Sequence, residues 1–344
     1  MAIARTALRR VYIGNESAPG TAVAATEVML GRMSAPYADK TMHYPEQDRG
    51  TMSRHYGDDF VVQRYVEGTF DFEANTRHIL HALSNSVRGN ITPTQPDPVN
   101  EPLAYLWTFE PNLTSPNTPD ETNGIDTFTL EYGDNVQAYE IEYVFCRTLT
   151  ISASPNEPVM VSWEWGGRRL TETTFTPALT VQPVQYFPAN TCQFYIDNSY
   201  ATIGTTEKSC LISAWTWTFE TMFTARFGAG GQLYFCDLNE GEKTSSLELT
   251  FRRDDTDSEA EKDKFDNRTT AYLRVRCNGQ TEIDSGEGNL PYIYIDGAFK
   301  YTAWGDPTDE DGTVTEVVTA ESVEDATASK QFTISVLTDR STLP

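Results

Sequence analysis

Positive charge is scarce in this sequence: 26 Lys and Arg stand against 50 Asp and Glu, a formal net charge of −24. A surface this acidic repels nucleic acid and anionic membranes, which excludes a conventional DNA reader or a polybasic membrane protein. It leaves open a protein past which DNA must slide without sticking. Long apolar runs are missing as well, since none approaches the ~18 residues that span a bilayer. The opening MAIARTALRRVYIGNE carries Arg5, Arg9 and Arg10 with no apolar stretch behind them, so it lacks the central region of a secretory signal. Five cysteines, Cys146, Cys192, Cys210, Cys236 and Cys277, lie far apart in no metal-binding or redox spacing. Their odd number predicts free, mostly buried thiols and a chain made and kept soluble in a reducing cytoplasm.

Signatures of catalysis and cofactor binding are equally thin. Of the four histidines, His43, His55, His78 and His81, only the last two are close, three apart on a predicted helix. No HExxH motif or cysteine pair completes a ligand set, so they read as surface or cap-region residues. The Gly-rich AGGQ (229–232) opens no helix after a strand and reads as a turn. No GxSxG elbow occurs. The acidic runs DDTDSEAEKD (254–263) and GDPTDEDG (305–312) do not follow the alternating ligand pattern of a calcium loop. The expectation is therefore a non-enzyme with no cofactor and no metal. A carboxylate pair for glycoside hydrolysis stays open, because Asp and Glu are everywhere and their separation in space is not visible in sequence.

What the chain does contain is aromatic and β-branched alternation. Seventeen Tyr and 17 Phe supply large core side chains although hydrophobic residues total only 39%. The clearest stretch is AYEIEYVFCRTLTISA (138–153). Tyr139, Ile141, Tyr143, Phe145, Leu149 and Ile151 fall on one face, and Ala138, Glu140, Glu142, Thr148 and Thr150 on the other. This predicts a long half-buried antiparallel strand or hairpin arm, and Val144 and Arg147 break the pattern where a bulge would sit. Similar alternation marks 60–72, 126–132, 158–166, 209–223, 245–251, 271–277, 291–304 and 330–338. Trp163, Trp165, Trp215 and Trp217 sit two apart in pairs. A sheet-face core explains them more simply than a sugar-stacking platform.

Helices are few. ANTRHILHALSNSV (74–87) spaces Ile79, Leu80, Leu83 and Val87 helically, with Asn75 as cap, and DSEAEKDKFDNR (257–268) is the second candidate. Each half of the chain thus runs strands, one helix, then strands, which reads as a duplication. The boundary falls near FTPALTVQPVQYFPANT (175–191), giving domains 1–175 and 176–344. Two polar stretches, 32–58 and 88–124, are expected to be long loops. The first is rich in Tyr, Met and His, which favours a partner contact.

The order of these features resembles the tail tube proteins of long-tailed (siphovirus-like) bacteriophages. VYIGNESAPGTAVAATEVML (11–30) resembles their opening strand and its Gly-Glu and Pro-Gly-Thr turn. VEGTFDFEANTRHILHALSNSV (66–87) resembles their strand running into a short helix. The paired strands of 127–168 and 192–220 look like the elements that follow. The resemblance implies a mainly β fold: two tandem β-sandwich or split-barrel domains, each with a flanking helix, whose inner sheet joins those of neighbouring subunits. It also implies a homo-oligomeric ring, either a trimer with pseudo-sixfold symmetry or a hexamer. Rings would stack around a tape measure protein, meet other tail proteins and later pass DNA without binding it specifically, in a virion tail assembled in the host cytoplasm. On that reading Glu140, Glu142, Thr148 and Thr150 face the lumen, with an outer water-facing surface as the competing assignment. Tyr37, Met42, His43, Tyr44, Met52, His55 and Tyr56 are the expected inter-ring contacts. The alternative function is a carbohydrate-binding or carbohydrate-cleaving β-sandwich. A third is another β-protein of the virion, such as a tail terminator or head decoration protein.

Overall fold

Nearly every alternating segment forms a strand. In the computed structural model all residues are described except 1–3, 35, 46–49, 51, 54–58, 209, 230–231, 311 and 344. The first half of the chain gives β1 (Arg10–Asn15), β2 (Glu27–Met29), β3 (Arg32–Met33), β4 (Tyr37–His43), β5 (Phe60–Glu73), α1 (His78–Ser86), β6 (Tyr105–Phe109), β7 (Phe128–Gly133), β8 (Ala138–Ala153), β9 (Met160–Gly167) and β10 (Arg169–Thr173). The second half gives β11 (Cys192–Asp197), β12 (Ile212–Glu220), β13 (Phe223–Arg226), β14 (Asp237–Glu240), β15 (Thr244–Arg252), α2 (Asp257–Asp266), β16 (Ala271–Asn278), β17 (Tyr292–Trp304), β18 (Thr308–Glu310), β19 (Thr313–Ser322) and β20 (Phe332–Thr338). The fold is mainly β, as the alternation predicts. All strands except the β13–β14 ribbon belong to one hydrogen-bonded network.

The pairing scheme occurs twice. In the first half β1 pairs with β7, β7 with β8, β8 with β9 and β10, β9 with β5, and β5 with β4. In the second half β11 pairs with β16, β16 with β17, β17 with β19 and β20, β19 with β15, and β15 with β12. Helix α1 packs on β8, and α2 packs on β17, its counterpart. Both long strands change sheets along their length. Residues 138–142 of β8 lie between β7 and β10, whereas 148–152 lie between β9 and β12. Residues 292–297 of β17 lie between β16 and β20, and its far end pairs with β19.

A bulge makes each crossing. The register slips between Cys146 and Thr148 in β8 and between Tyr301 and Ala303 in β17. A bulged residue shifts the alternation by one, so the single apolar face expected for β8 is divided. Tyr143 holds φ +54°, and a second slip lies opposite it in β7. Ile141, Val144, Cys146, Leu149 and Ile151 enter the main core. Tyr143 and Phe145 instead join a small cluster with Phe223, Phe235 and Leu238 under the β13–β14 ribbon.

The main core runs through both halves and is built on Trp163, Trp165, Trp217, ten buried phenylalanines and many aliphatics. Burial of each such side chain contributes about 2–3 kcal/mol. The four paired tryptophans are all buried, so they are core and offer no sugar-stacking platform. The two polar stretches are less structureless than expected. β3 and β4 together take up nine residues of 32–58, and β6 lies inside 88–124. β4 is charged and polar along YADKTMH, and its backbone bonds come from β5. β6 gains its bonds from β20, far along the chain, so no local pattern announces it.

Candidate functional site

One sheet combines the two halves. Its strand order is β4–β5–β9–β8–β12–β15–β19–β17, four strands from each half, joined where β8 pairs with β12. Among the described residues, β4 has no strand partner on its outer side, and neither has β17 beyond Phe299 on the side away from β19. The sheet therefore ends in two open edges, each with unpaired backbone donors and acceptors. Bulges lie at both edges, between Thr41 and Met42 and between Tyr301 and Ala303, and Lys40 and Lys300 sit on them. These are devices that keep an exposed edge from pairing indiscriminately.

The side of this sheet away from the core carries hydroxyls and carboxylates in cross-strand rows. One row runs Asp71, Ser162, Thr150, Thr218, Ser246, Glu321, Lys300. A second runs Thr69, Glu164, Thr148, Glu220, Thr244, and a third includes Ser152, Thr216, Glu248 and Thr319. Within these rows each carboxylate has a hydroxyl or Lys300 opposite it and never another carboxylate. Directly opposed like charges destabilise a sheet, so this spacing lets a strongly acidic face form at little cost. Side-chain hydrogen bonds run along the first row: Ser162 Oγ donates to Asp71 Oδ1 at 2.6 Å, and the Thr150 and Thr218 hydroxyls meet at 3.4 Å across the β8–β12 seam. Arg147, on its bulge, donates to Glu67 Oε2 at 2.9 Å.

Thr148 and Thr150 thus lie in the middle of the polar face. Glu140 and Glu142 do not share it, because the bulges place the first part of β8 in the other sheet. Glu142 accepts from Arg168 Nε at 3.0 Å, and Arg168 also reaches the Gly20 carbonyl, so this carboxylate is tied into the fold. Glu140 lies directly opposite Glu131. Burial raises its pKa, and the nearby Glu131, Glu142 and Glu16 add to the rise. Sequence reasoning missed Glu164, Glu220, Glu248 and Glu321 as members of the face. Glu164, Glu220 and Glu248 occupy polar positions of segments whose alternation is evident, whereas Glu321 lies on β19, outside every such segment, and the sheet in which the four meet is long-range.

Of the expected inter-ring residues, Tyr37, Met42 and His43 lie on β4 and Tyr44 follows it. Met42, Tyr44 and Met52 are exposed, as are Phe60 and Val62 on the facing strand, and His43 packs on Phe60 at 5.1 Å between ring centroids. The adjoining ends of β4 and β5 are therefore apolar where they are exposed. His55 and Tyr56 lie outside the described residues.

His78 and His81, expected at the surface or in the cap region, are buried. His78 opens α1 after its N-cap Arg77, which carries no side-chain cap; Asn75, expected as the cap, lies two residues earlier, where its Oδ1 accepts the His78 backbone N–H at 2.9 Å and closes the turn into the helix. His81 Nε2 lies 3.0 Å from Glu27 Oε2, which also meets Arg340 Nη1 at 2.7 Å. Burial pushes the His81 pKa down, so a neutral ring donates Nε2–H to the carboxylate. The cluster ties β2, α1 and the end of the chain together. Among the described residues no group of three His, Cys, Asp or Glu is placed to hold a metal ion, and no helix is long and apolar enough to cross a membrane. The thiols are free: Cys146 and Cys277 are buried, Cys192 half-buried, Cys210 and Cys236 exposed. Compared with known proteins, the chain matches no protein-family model and no curated sequence.

Proposed function

We propose that this chain is the structural subunit of a phage tail tube, with two tandem tail-tube-type domains, 1–175 and 176–344. The observation that carries the reading is the eight-stranded sheet that both halves build equally, ending in two open edges and bearing an acidic, hydroxyl-rich face. A strand edge is an adhesive for another strand, and a head-to-tail contact between two different edges generates a closed ring when the rotation closes. Two matched halves per chain favour three copies with pseudo-sixfold symmetry. The polar face lines the lumen, and the exposed apolar residues at the adjoining ends of β4 and β5 contact the next ring. Tape measure and other tail proteins are the remaining partners. A wall of the same charge sign as the cargo gives DNA no bound state in which to pause.

Electron microscopy of the concentrated, purified protein tests this. Rings or tubes with three chains per ring are expected. Rings of six chains would overturn the trimer, and a protein that stays dispersed under every assembly condition, including addition of tape measure protein, would overturn the tube.

A further inference from the structure

The repeat inside the chain specifies the contact between chains. The final arm of β8 starts after its bulge, with Thr148 opposite Glu164 and Leu149 opposite Trp163. The final arm of β17 starts after an equivalent bulge, with Ala303 opposite Thr319 and Trp304 opposite Val318. Cys146 before the first bulge and Leu149 after it lie in the core; Tyr301 before the second bulge does too, and Trp304 after it packs against the core. On the other side of the sheet, Phe219 of β12 lies opposite Ser245 of β15, and Ala38 of β4 lies opposite Val66 of β5. Pairings through β9 and β19 bring these into correspondence: Gly68 opposite Trp165 matches Leu247 opposite Ala320, and Trp165 and Ala320 lie opposite the matched Cys146 and Tyr301. Ala38 is thus the counterpart of Phe219, and Asp39 of Glu220.

The arm of β8 is covered by β12, with Thr148 opposite Glu220 and Leu149 opposite Phe219. Among the described residues the matching arm of β17 has no such cover, and β4, the match of β12, covers no strand beyond β5. The chain thus satisfies one copy of this junction internally and leaves both sides of the other copy open, at opposite ends of one sheet.

We propose that the last arm of β17 in one copy pairs antiparallel with β4 of the next copy in the register of the internal seam: Ala303 opposite Asp39, Trp304 opposite Ala38 and Gly305 opposite Tyr37. This deepens the ring reading and rests on it. Gly305 already extends the arm alongside β19, its N–H donating to the Val317 carbonyl at 2.8 Å. The partner is a second copy of this chain, because the complementary edge is one the chain itself carries.

The register is tested with cysteine pairs in the full chain, with the exposed Cys210 and Cys236 changed to Ser. Directly opposed residues have Cα atoms about 4.5–5.5 Å apart, inside the span of a disulfide. Asp39→Cys with Ala303→Cys, oxidised after assembly, is expected to convert most of the protein to covalent dimers and closed covalent trimers. Asp39→Cys with Trp304→Cys is expected to give none, since a one-residue slip points the two side chains to opposite faces. Thr148→Cys with Glu220→Cys places the same bond at the internal seam, and its formation without oligomers shows that a pair in this geometry closes and that the chain tolerates it. Rings that form but crosslink only in the slipped pair, or in neither intermolecular pair, overturn the register and leave the tube reading standing. Absence of any ring in the parent chain overturns the tube reading itself.

Discussion

Glu16 Oε1 accepts the backbone N–H of Tyr143 at 2.8 Å, joining the first turn of the chain to the point where β8 departs from regular geometry. The same carboxylate accepts the hydroxyls of Thr127 and Thr129 and the N–H of Gly20 at 2.7–3.0 Å, and it is buried. Gly20 holds φ +73°, and a side chain there would strike the Arg168 guanidinium that bridges to Glu142. One acid therefore fastens the Pro19-Gly20-Thr21 turn onto two strands and holds the kink that divides the faces of β8.

Replacing Glu16 by Ala is expected to destabilise the protein by about 2–4 kcal/mol, because several buried donors lose their acceptor together. Denaturant unfolding of the isolated chain measures it as a lower midpoint. Glu142→Ala removes only a half-buried ion pair and is expected to cost less. Equal losses in the two variants would show that the Glu16 network is not the fastening proposed here.

Acid should weaken the fold in two windows. Burial lowers the His78 pKa to about 4, against 6.5 when free, so the unfolded chain takes up a proton the folded one refuses. Stability then falls as pH drops from about 6.5 to 4, by up to about 3 kcal/mol for this group, and buried His81 acts in the same direction. Burial alone would raise Glu27, but His81 and Arg340 outweigh it and hold its pKa at about 2. Its contribution is complete above about 4.5 and is lost toward pH 2. Melting temperature against pH should decline through both ranges, and His78→Asn should flatten the upper one. A curve with no slope between pH 6.5 and 4 would contradict the buried cluster.

These histidines also show what the sequence could and could not convey. Period-2 alternation marks β5, β8, β9, β12, β15, β16 and β17 because their partners impose one buried face, whereas β7 and β20, also marked by alternation, are buried along nearly their whole length. The α1 segment has the right helical spacing, yet Ser84, Asn85 and Ser86 are nearly as buried as Leu83 and are held by bonds such as Asn85 Nδ2 to the Val144 carbonyl. A polar residue in a helix reads as exposed until its acceptor, distant in sequence, is known. The pairings β8–β12 and β6–β20 are of the same kind. The polar face was legible strand by strand, and its assembly into one surface depended on two bulges that single-residue pattern breaks only hinted at.

The thiols should separate by position. In the native chain a maleimide reagent is expected to label Cys210 and Cys236 rapidly and Cys192 more slowly. Cys146 and Cys277 should react only after unfolding. Burial pushes both of these pKa values up, so neither offers a thiolate near neutral pH, and Cys192 beside Cys277 raises the latter further. Cys192 and Cys277 lie directly opposite each other on β11 and β16, although they are far apart in sequence. Mass spectrometry of a labelling time course counts the classes, and uniform labelling of all five would contradict this burial.

On the proposed tube reading, charge on the polar face bears most directly on the delivery of DNA. Glu164 and Glu248 are exposed, lie in different halves, and have hydroxyl residues opposite them on both neighbouring strands. Lysine fits both positions without burying charge, so Glu164→Lys with Glu248→Lys should leave folding and ring formation intact. In a repeating tube it would place cations along the whole lumen, each able to hold a phosphate, and the drag on DNA would grow with tube length. Phage carrying the pair should show normal tails by microscopy and a loss of plating efficiency on the order of tenfold or more, partly relieved by raised salt, since salt weakens phosphate contacts. Glu140→Lys, in the other sheet, should not slow ejection in this way. Normal tails with unchanged infectivity in the double variant would mean that this face does not line the passage.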